Sequence, residues 1–304
     1  MIKSLLLFFI LLFLPVNATD SSDDSHQSFY DNLDLHDQQS LHHNCGEHFL
    51  TEGIQFRSLG SVVAKDNEYP WTLGIRRGSG ICSAVLISTR HVLTAAHCVF
   101  VRDLNPKNAK STCPYKMIRN SQLLVYPGTK VKNLLDIPKS ITSYSVVNKT
   151  VHPEYDFCKG SNDVALLEIS PSMLFDGSPI CMPSANEGIP KDLTSTGFGF
   201  NPDLPADTRS LQAVNLTHKG WTKYGGIVTS TKNRMPCSGD SGGPLFKVKD
   251  GKYILVGIGT RSEDCVRNNK EKLGVFEDIR SKLDWICNNS DVCPVDSSSE
   301  PMVQ

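Results

Sequence analysis

An all-β fold of the barrel or sandwich type is predicted by three observations. Short runs rich in β-branched and aliphatic residues recur between Gly, Pro and Asn breaks from about Ser58 onward. Nothing in the chain repeats at a solenoid or propeller period. A helical spacing of apolar residues stands out only near the C-terminus, and many strands with one terminal helix suit a closed or two-layer β architecture.

The elements follow in chain order. Lys3 precedes an apolar run from Leu5 to Leu14, then Pro15 and Val16-Asn17-Ala18. That is a charged start, a hydrophobic stretch too short to span a bilayer and a small-x-small cleavage site, so residues 1–18 read as a secretory signal. The mature protein is expected to be soluble, secreted and extracellular, beginning near Thr19. Residues 19–57 crowd Asp20, Asp23, Asp24, Asp31, Asp34 and Asp37 among His26, His36, His42, His43 and His48. No apolar periodicity holds there and the histidine spacings match no metal-ligand motif, so a solvated leader is expected, with no metal and no cofactor. Strand signals then come at Trp71–Ile75, Ser83–Ser88, Leu123–Tyr126, Ile141–Val147, Val164–Ile169, Leu211–Leu216 and Tyr253–Ile258. Ile279, Leu283 and Ile286 fall at i, i+4 and i+7, predicting a helix over about 278–287. Residues 291–304 read as a tail.

Composition bounds the function. Of 304 residues, 39% are hydrophobic and 21% charged, enough for a real core, which excludes wholesale disorder. Thirty-one Lys and Arg against 32 Asp and Glu leave a net charge of −1. That argues against a partner held mainly by long-range attraction to phosphates or anionic lipid, so neither nucleic acid nor membrane is expected as a partner. The ten cysteines, meeting an oxidising compartment, suggest a disulfide framework. Asn148, Asn215 and Asn288 open Asn-x-Ser/Thr glycosylation tripeptides.

Three segments carry chemistry: Leu93-Thr94-Ala95-Ala96-His97-Cys98, Asn162-Asp163-Val164-Ala165-Leu166-Leu167, and Cys237-Ser238-Gly239-Asp240-Ser241-Gly242-Gly243-Pro244-Leu245. Singly, a His after small residues reads as a buried histidine, and an Asp before an apolar strand as a turn residue. The third is different, because a string such as Gly239–Pro244 arises by chance in a chain this long with probability on the order of one in 10^5. Glycines around one Ser suit a backbone that turns sharply and approaches a substrate closely.

With these segments in the order His, Asp, Ser, the chain resembles a secreted serine endopeptidase of the chymotrypsin/trypsin family over about residues 58–287. The resemblance implies two packed six-stranded antiparallel β-barrels with a C-terminal helix, the protease domain covering 58–290. It makes Ser241 the nucleophile, His97 the general base and then acid, and Asp163 the group that orients His97. A serine hydroxyl is a weak nucleophile at neutral pH and needs an imidazole within reach to take its proton. The N–H groups of Gly239 and Ser241 would form an oxyanion hole, one such donor lowering the barrier by roughly 3 kcal/mol. Thr260 stands where relatives carry a Ser that supports the Asp, and its hydroxyl is expected to keep that role.

The same resemblance pairs Cys82 with Cys98, Cys237 with Cys265, and Cys45 with Cys181, the last tethering the leader to the body. Leu193 and Val228 stand where many relatives have cysteine. The remaining Cys113, Cys158, Cys287 and Cys293 permit three pairings, of which Cys113–Cys158 with Cys287–Cys293 is expected. Relatives are made as zymogens; Ala64 and Pro70-Trp71 fix the alignment, placing the cut between Arg57 and Ser58 with Asp240 ready to receive the new amine. Ser58 departs from the usual apolar start. Met235 holds the floor of the specificity pocket in place of an Asp, with Ser262 and Gly274 at its walls, so uncharged apolar P1 side chains are expected. Arg261 replaces the Trp that usually lines the neighbouring subsite. Partners implied are protein or peptide substrates, protein inhibitors and an activating protease, with the enzyme a monomer. The alternative reading is a catalytically silent protease homologue acting as a binding or regulatory protein.

Overall fold

A computed structural model describes residues 45–47, 62–65, 67–103, 114–232, 236–263 and 270–294. Residues 1–18, expected to be a secretory signal, and Arg57, Ser58, Cys113, Met235, Cys265 and residues 295–304 lie outside them. Fifteen strands and one helix are described: β1 Val62–Val63, β2 Thr72–Arg77, β3 Gly80–Leu86, β4 His91–Thr94, β5 Phe100–Arg102, β6 Tyr115–Met117, β7 Leu123–Pro127, β8 Tyr144–Val151, β9 Ala165–Ser170, β10 Asp192–Gly197, β11 Gln212–Trp221, β12 Ile227–Lys232, β13 Pro244–Lys249, β14 Lys252–Ser262, β15 Glu271–Asp278 and α1 Leu283–Ser290.

They form two closed six-stranded antiparallel barrels, as the resemblance implies. The first runs β2-β3-β4-β9-β8-β7 and closes on itself. The second runs β11-β10-β13-β14-β15-β12 and closes through β11–β12, with β1 paired to the start of β11 on the edge that β12 takes up further along. Closure removes the unpaired edges that open sheets present. Tight turns follow from local chemistry. Arg77 pairs with Gly80 across Gly78-Ser79, and Lys249 pairs with Lys252 across Asp250-Gly251. Asp250 and Gly251 both take positive φ, 52° and 79°, the conformation that two-residue hairpins require and that Asp-Gly tolerates.

The barrels meet over an aromatic cluster. Trp71, at the mouth of β2 and fully buried, packs edge-on against Phe246 of β13 and at 4.7 Å from the ring of Tyr253 of β14. A buried hydrogen bond of 2.6 Å joins the Thr72 and Thr196 hydroxyls across the same seam. Residues 45–47 are anchored here too. Cys45 is bonded to Cys181, Gly46 N–H donates to Pro179, and Tyr253 N–H donates to the Gly46 carbonyl.

Ile279, Leu283 and Ile286 are buried together, as the spacing predicts, but the helical segment differs in detail. It opens as a 3₁₀ turn over Ile279–Lys282 and continues as α1 to Ser290. Asp278 accepts both the Arg280 N–H and its guanidinium, which tightens that first turn. The end is set by Asp291 in the left-handed conformation and by the Cys287–Cys293 disulfide.

Candidate active site

His97 stands in a 3₁₀ turn, Ala96–Val99, that follows β4. Its neighbours are small and buried: Ala95, Ala96, Cys98 and Val99 are fully enclosed, which lets the turn sit flat against the first barrel. Cys98 is bonded to Cys82 of β3. From below, the Arg77 guanidinium donates from Nη1 to the carbonyls of His97 at 3.1 Å and Phe100 at 2.8 Å, with Cys98 O at 3.4 Å. A guanidinium suits this task because it presents several donors in one plane. Arg77→Met would leave these carbonyls without their donor, and a loss of about 2 kcal/mol in urea unfolding is expected.

Asp163 is buried, 3% exposed, and its carboxylate clamps the histidine at two points. Oδ1 accepts the His97 main-chain N–H at 2.8 Å, and Oδ2 lies 2.7 Å from His97 Nδ1. With Nδ1 bound to a carboxylate, a neutral ring carries its proton there and leaves Nε2 as the acceptor. The Asp163 main chain sits in a tight turn: Asn162 is left-handed at φ 53°, and Val164 N–H donates to the Asn162 carbonyl.

The third segment is a loop ahead of β13 in which each peptide is oriented. Ser238 C=O accepts from Phe200 N–H at 3.0 Å, and Asp240 C=O accepts from Gly243 N–H at 2.9 Å. In a trans peptide the N–H points opposite to the C=O, so the Gly239 and Ser241 N–H groups face away from those donors. Neither has a backbone acceptor among the described residues. Gly239 takes φ 108°, and a Cβ there would come within 2.9 Å of Phe198 O. Gly242, at φ 85°, would bring a Cβ within 2.2 Å of Ser83 O. Ser83 stitches the loop down: its hydroxyl donates to Gly239 O and accepts from Phe198 N–H, while its N–H donates to Ser241 O. One sulfur, Cys98 Sγ, lies 3.9 Å from His97 Nε2 and 3.6 Å from Ser241 O, so ring and loop border the same point. A base whose Nε2 meets only a disulfide sulfur, a hydroxyl on a glycine-bound turn and two N–H donors without a backbone acceptor among the described residues can perform nucleophilic acyl chemistry.

The side chain of Asp240 turns inward. The residue as a whole is partly exposed, yet its carboxylate is enclosed by two glycines: a Cβ on Gly199 would lie 1.9 Å from Oδ2, and one on Gly197 2.3 Å from Oδ1. Gly199 and Cys237 donate their N–H groups to it at 2.6 and 2.7 Å. Burial pushes its pKa up to about 6.

The other expected positions divide. Ser262 and Gly274 face each other across β14–β15, whereas Met235 lies outside the described residues. Thr260 is a correction: its hydroxyl donates to Val275 O at 3.1 Å, not to Asp163, because that strand carbonyl lies within its reach. Arg261 lies on β14, and its guanidinium lies against Gly160 and donates to the Lys159 carbonyl, joining the strand beside the Ser241 loop to the segment leading into Asp163. Cys237 is disulfide-bonded, while the expected partner Cys265, and Cys113 of the expected Cys113–Cys158 pair, fall outside the description. Asn148, Asn215 and Asn288 are all exposed. Sequence reasoning did not find Arg77, Ser83, Gly197, Gly199 or Glu277. Only the alternate glycines Gly197-Phe198-Gly199 left a signal, a pair whose lack of Cβ atoms marks close backbone approach.

Comparison with known proteins completes the assignment. The chain is 28% identical over 251 residues to "Transmembrane protease serine 11C" of Mus musculus, an alignment covering 76% of this chain and 53% of that protein. It thus spans about half the length of that relative, and among its own described residues no helix is long and apolar enough to cross a membrane. The family model described as Trypsin matches residues 59–286, which takes in both barrels and all three segments, and the chain therefore belongs to the trypsin family of serine proteases.

Proposed function

We propose that the chain is a secreted serine endopeptidase, made as a precursor and cut after Arg57, that hydrolyses peptide bonds through Ser241, His97 and Asp163. The observation that carries this reading is the two-point hold of Asp163 on His97, beside a Ser241 loop with two N–H donors that have no backbone acceptor among the described residues. In the proposed sequence His97 Nε2 takes the Ser241 proton as Oγ attacks the scissile carbonyl. The oxyanion forms against the Gly239 and Ser241 N–H groups. The imidazolium then gives its proton to the leaving amine, and an ester to Ser241 remains. Water, deprotonated by the same ring, attacks that ester, and collapse releases the acid and restores Ser241.

Activation is supported by Asp240, a carboxylate with no cation beside it among the described residues, and by the Cys45–Cys181 bond, which would keep a cut leader attached. The test is direct. Secreted protein is treated with trypsin, a Ser58 N-terminus is confirmed, and a fluorophosphonate probe is added beside a Ser241→Ala control. Labelling that depends on both the cut and Ser241 is expected; its absence in correctly cut protein would sink the reading.

For specificity, a peptide library should show cleavage after uncharged apolar residues. Met235 supplies no carboxylate for a buried cation, so dominant cleavage after Arg or Lys would overturn that part. The second reading, a silent homologue that binds rather than cuts, is favoured by one observation, the Arg261 arm laid across to Lys159. The labelling experiment separates the two.

A further inference from the structure

We propose that Glu277 is a positioning residue for Asp163, holding the carboxylate's main chain from the opposite barrel; the inference rests on the hydrolase reading of the same site. Glu277 lies on β15 of the second barrel, while Asp163 lies just ahead of β9 of the first. The Asp163 N–H donates to Glu277 Oε2 at 3.2 Å. Lys282, on the 3₁₀ turn that follows β15, stands 3.5 Å from Glu277 Oε1 and donates to Asn162 Oδ1 at 2.6 Å. Asn162 in turn donates from Nδ2 to the Glu154 carbonyl. One ion pair therefore grips two consecutive residues, the left-handed Asn162 and Asp163 itself.

Stability alone does not account for this pair. Both side chains are nearly enclosed, 13% and 10% exposed, and a buried ion pair adds little net stability over an apolar pair of the same size. Placing a second carboxylate beside Asp163 is also unfavourable. Burial pushes the Glu277 pKa up, the Asp163 charge adds to this, and Lys282 and the Asp163 N–H oppose it. What the pair supplies is a fixed acceptor and a fixed donor at the residue that must keep both oxygens on His97. Thr260 does not compete for the role, its hydroxyl being engaged by Val275 O.

Three variants of the full chain test this: Glu277→Gln, which keeps an oxygen for the Asp163 N–H; Glu277→Leu, which removes it; and Glu277→Leu with Lys282→Met, which also removes the cation left behind. Two readouts apply, the rate of fluorophosphonate labelling after the Arg57 cut, and the downfield proton resonance of the His97 Nδ1–H in 15N-histidine protein. The Gln variant should keep the resonance and label close to the wild-type rate. The Leu and double variants should move the resonance upfield and label roughly 100-fold more slowly, the scale of a small misplacement, with the double variant's Tm returning toward wild type. Wild-type resonance and rate in Glu277→Leu, or recovery of both alongside Tm in the double variant, would overturn the assignment. If the wild-type protein fails to label, the hydrolase reading falls while the resonance still decides the role of Glu277.

Discussion

Asp163→Asn is expected to lower turnover by the proposed hydrolase by about 10^4-fold, the loss known when the corresponding carboxylate is neutralised in the family's reference enzyme, while leaving the fold intact. The geometry here gives the reason. The carboxylate accepts from two donors at once, the His97 main-chain N–H and ring Nδ1. The main-chain donor is fixed, so an amide must turn its single oxygen toward it. The amide NH2 then faces Nδ1, which must become the acceptor, and the ring proton moves to Nε2. An Nε2 that already holds a proton takes none from Ser241. Both contacts survive in this arrangement, so the melting temperature should change little while fluorophosphonate labelling collapses. Labelling at close to the wild-type rate by a correctly cut Asp163→Asn protein would show that His97 does not act as the base.

How much of this was legible follows from where the information sits. The three segments are local strings, so the candidate residues could be read directly, and the resemblance they carry brings both barrels with it. Several strands were not visible from their own residues. In β15 the inward positions are Lys272, Gly274, Phe276 and Asp278, while Leu273 points out, so the usual alternation is inverted over half its length. β10, with the sequence Asp192-Leu193-Thr194-Ser195-Thr196-Gly197, is too polar to announce a core strand, yet Ser195 and Thr196 are buried. The supporting residues were hidden for a different reason. Arg77 and Glu277 each look like a solvent-facing charge on a strand; only the third dimension shows that one caps the His97 turn and the other meets Asp163, 114 residues away in the chain. Thr260 marks another kind of error, since the direction of its hydroxyl, toward Val275 O, could not be read from its place in the string.

The second large effect concerns activation: cutting after Arg57 is expected to raise thermal stability far more at about pH 7.5 than at about pH 5. The group responsible is Asp240. In the uncut chain its carboxylate is closed in by Gly197 and Gly199, accepts two N–H groups, and has no cation in contact among the described residues. Burial raises its pKa from 3.8 to about 6, against the pull of the Cys237 and Gly199 N–H bonds and of the Arg209 charge. The folded chain thus holds this proton more tightly than the unfolded chain does. The stability that comes from it is fully present below the unfolded value and is lost as pH rises through the folded one, about 3 kcal/mol by neutral pH. A new α-amino cation placed against Asp240 would reverse that balance, since an opposite charge favours the ionised carboxylate. Near pH 5 Asp240 is mostly protonated and has little to gain from the cation, so cut and uncut protein should melt close together. Through pH 6 to about 7.5 the gap should open. It should close again only above about pH 8, the value of an unperturbed α-amino group, because pairing with the carboxylate raises the pKa of the amine in the folded protein. Calorimetry of Ser241→Ala protein, cut and uncut, measures the gap without self-digestion. Asp240→Asn carries no charge for the amine to meet and should flatten its pH dependence. A gap that is constant with pH, or that persists unchanged in Asp240→Asn, would mean that the Ser58 amine does not pair with Asp240 and that the Ser241 loop takes its shape without it.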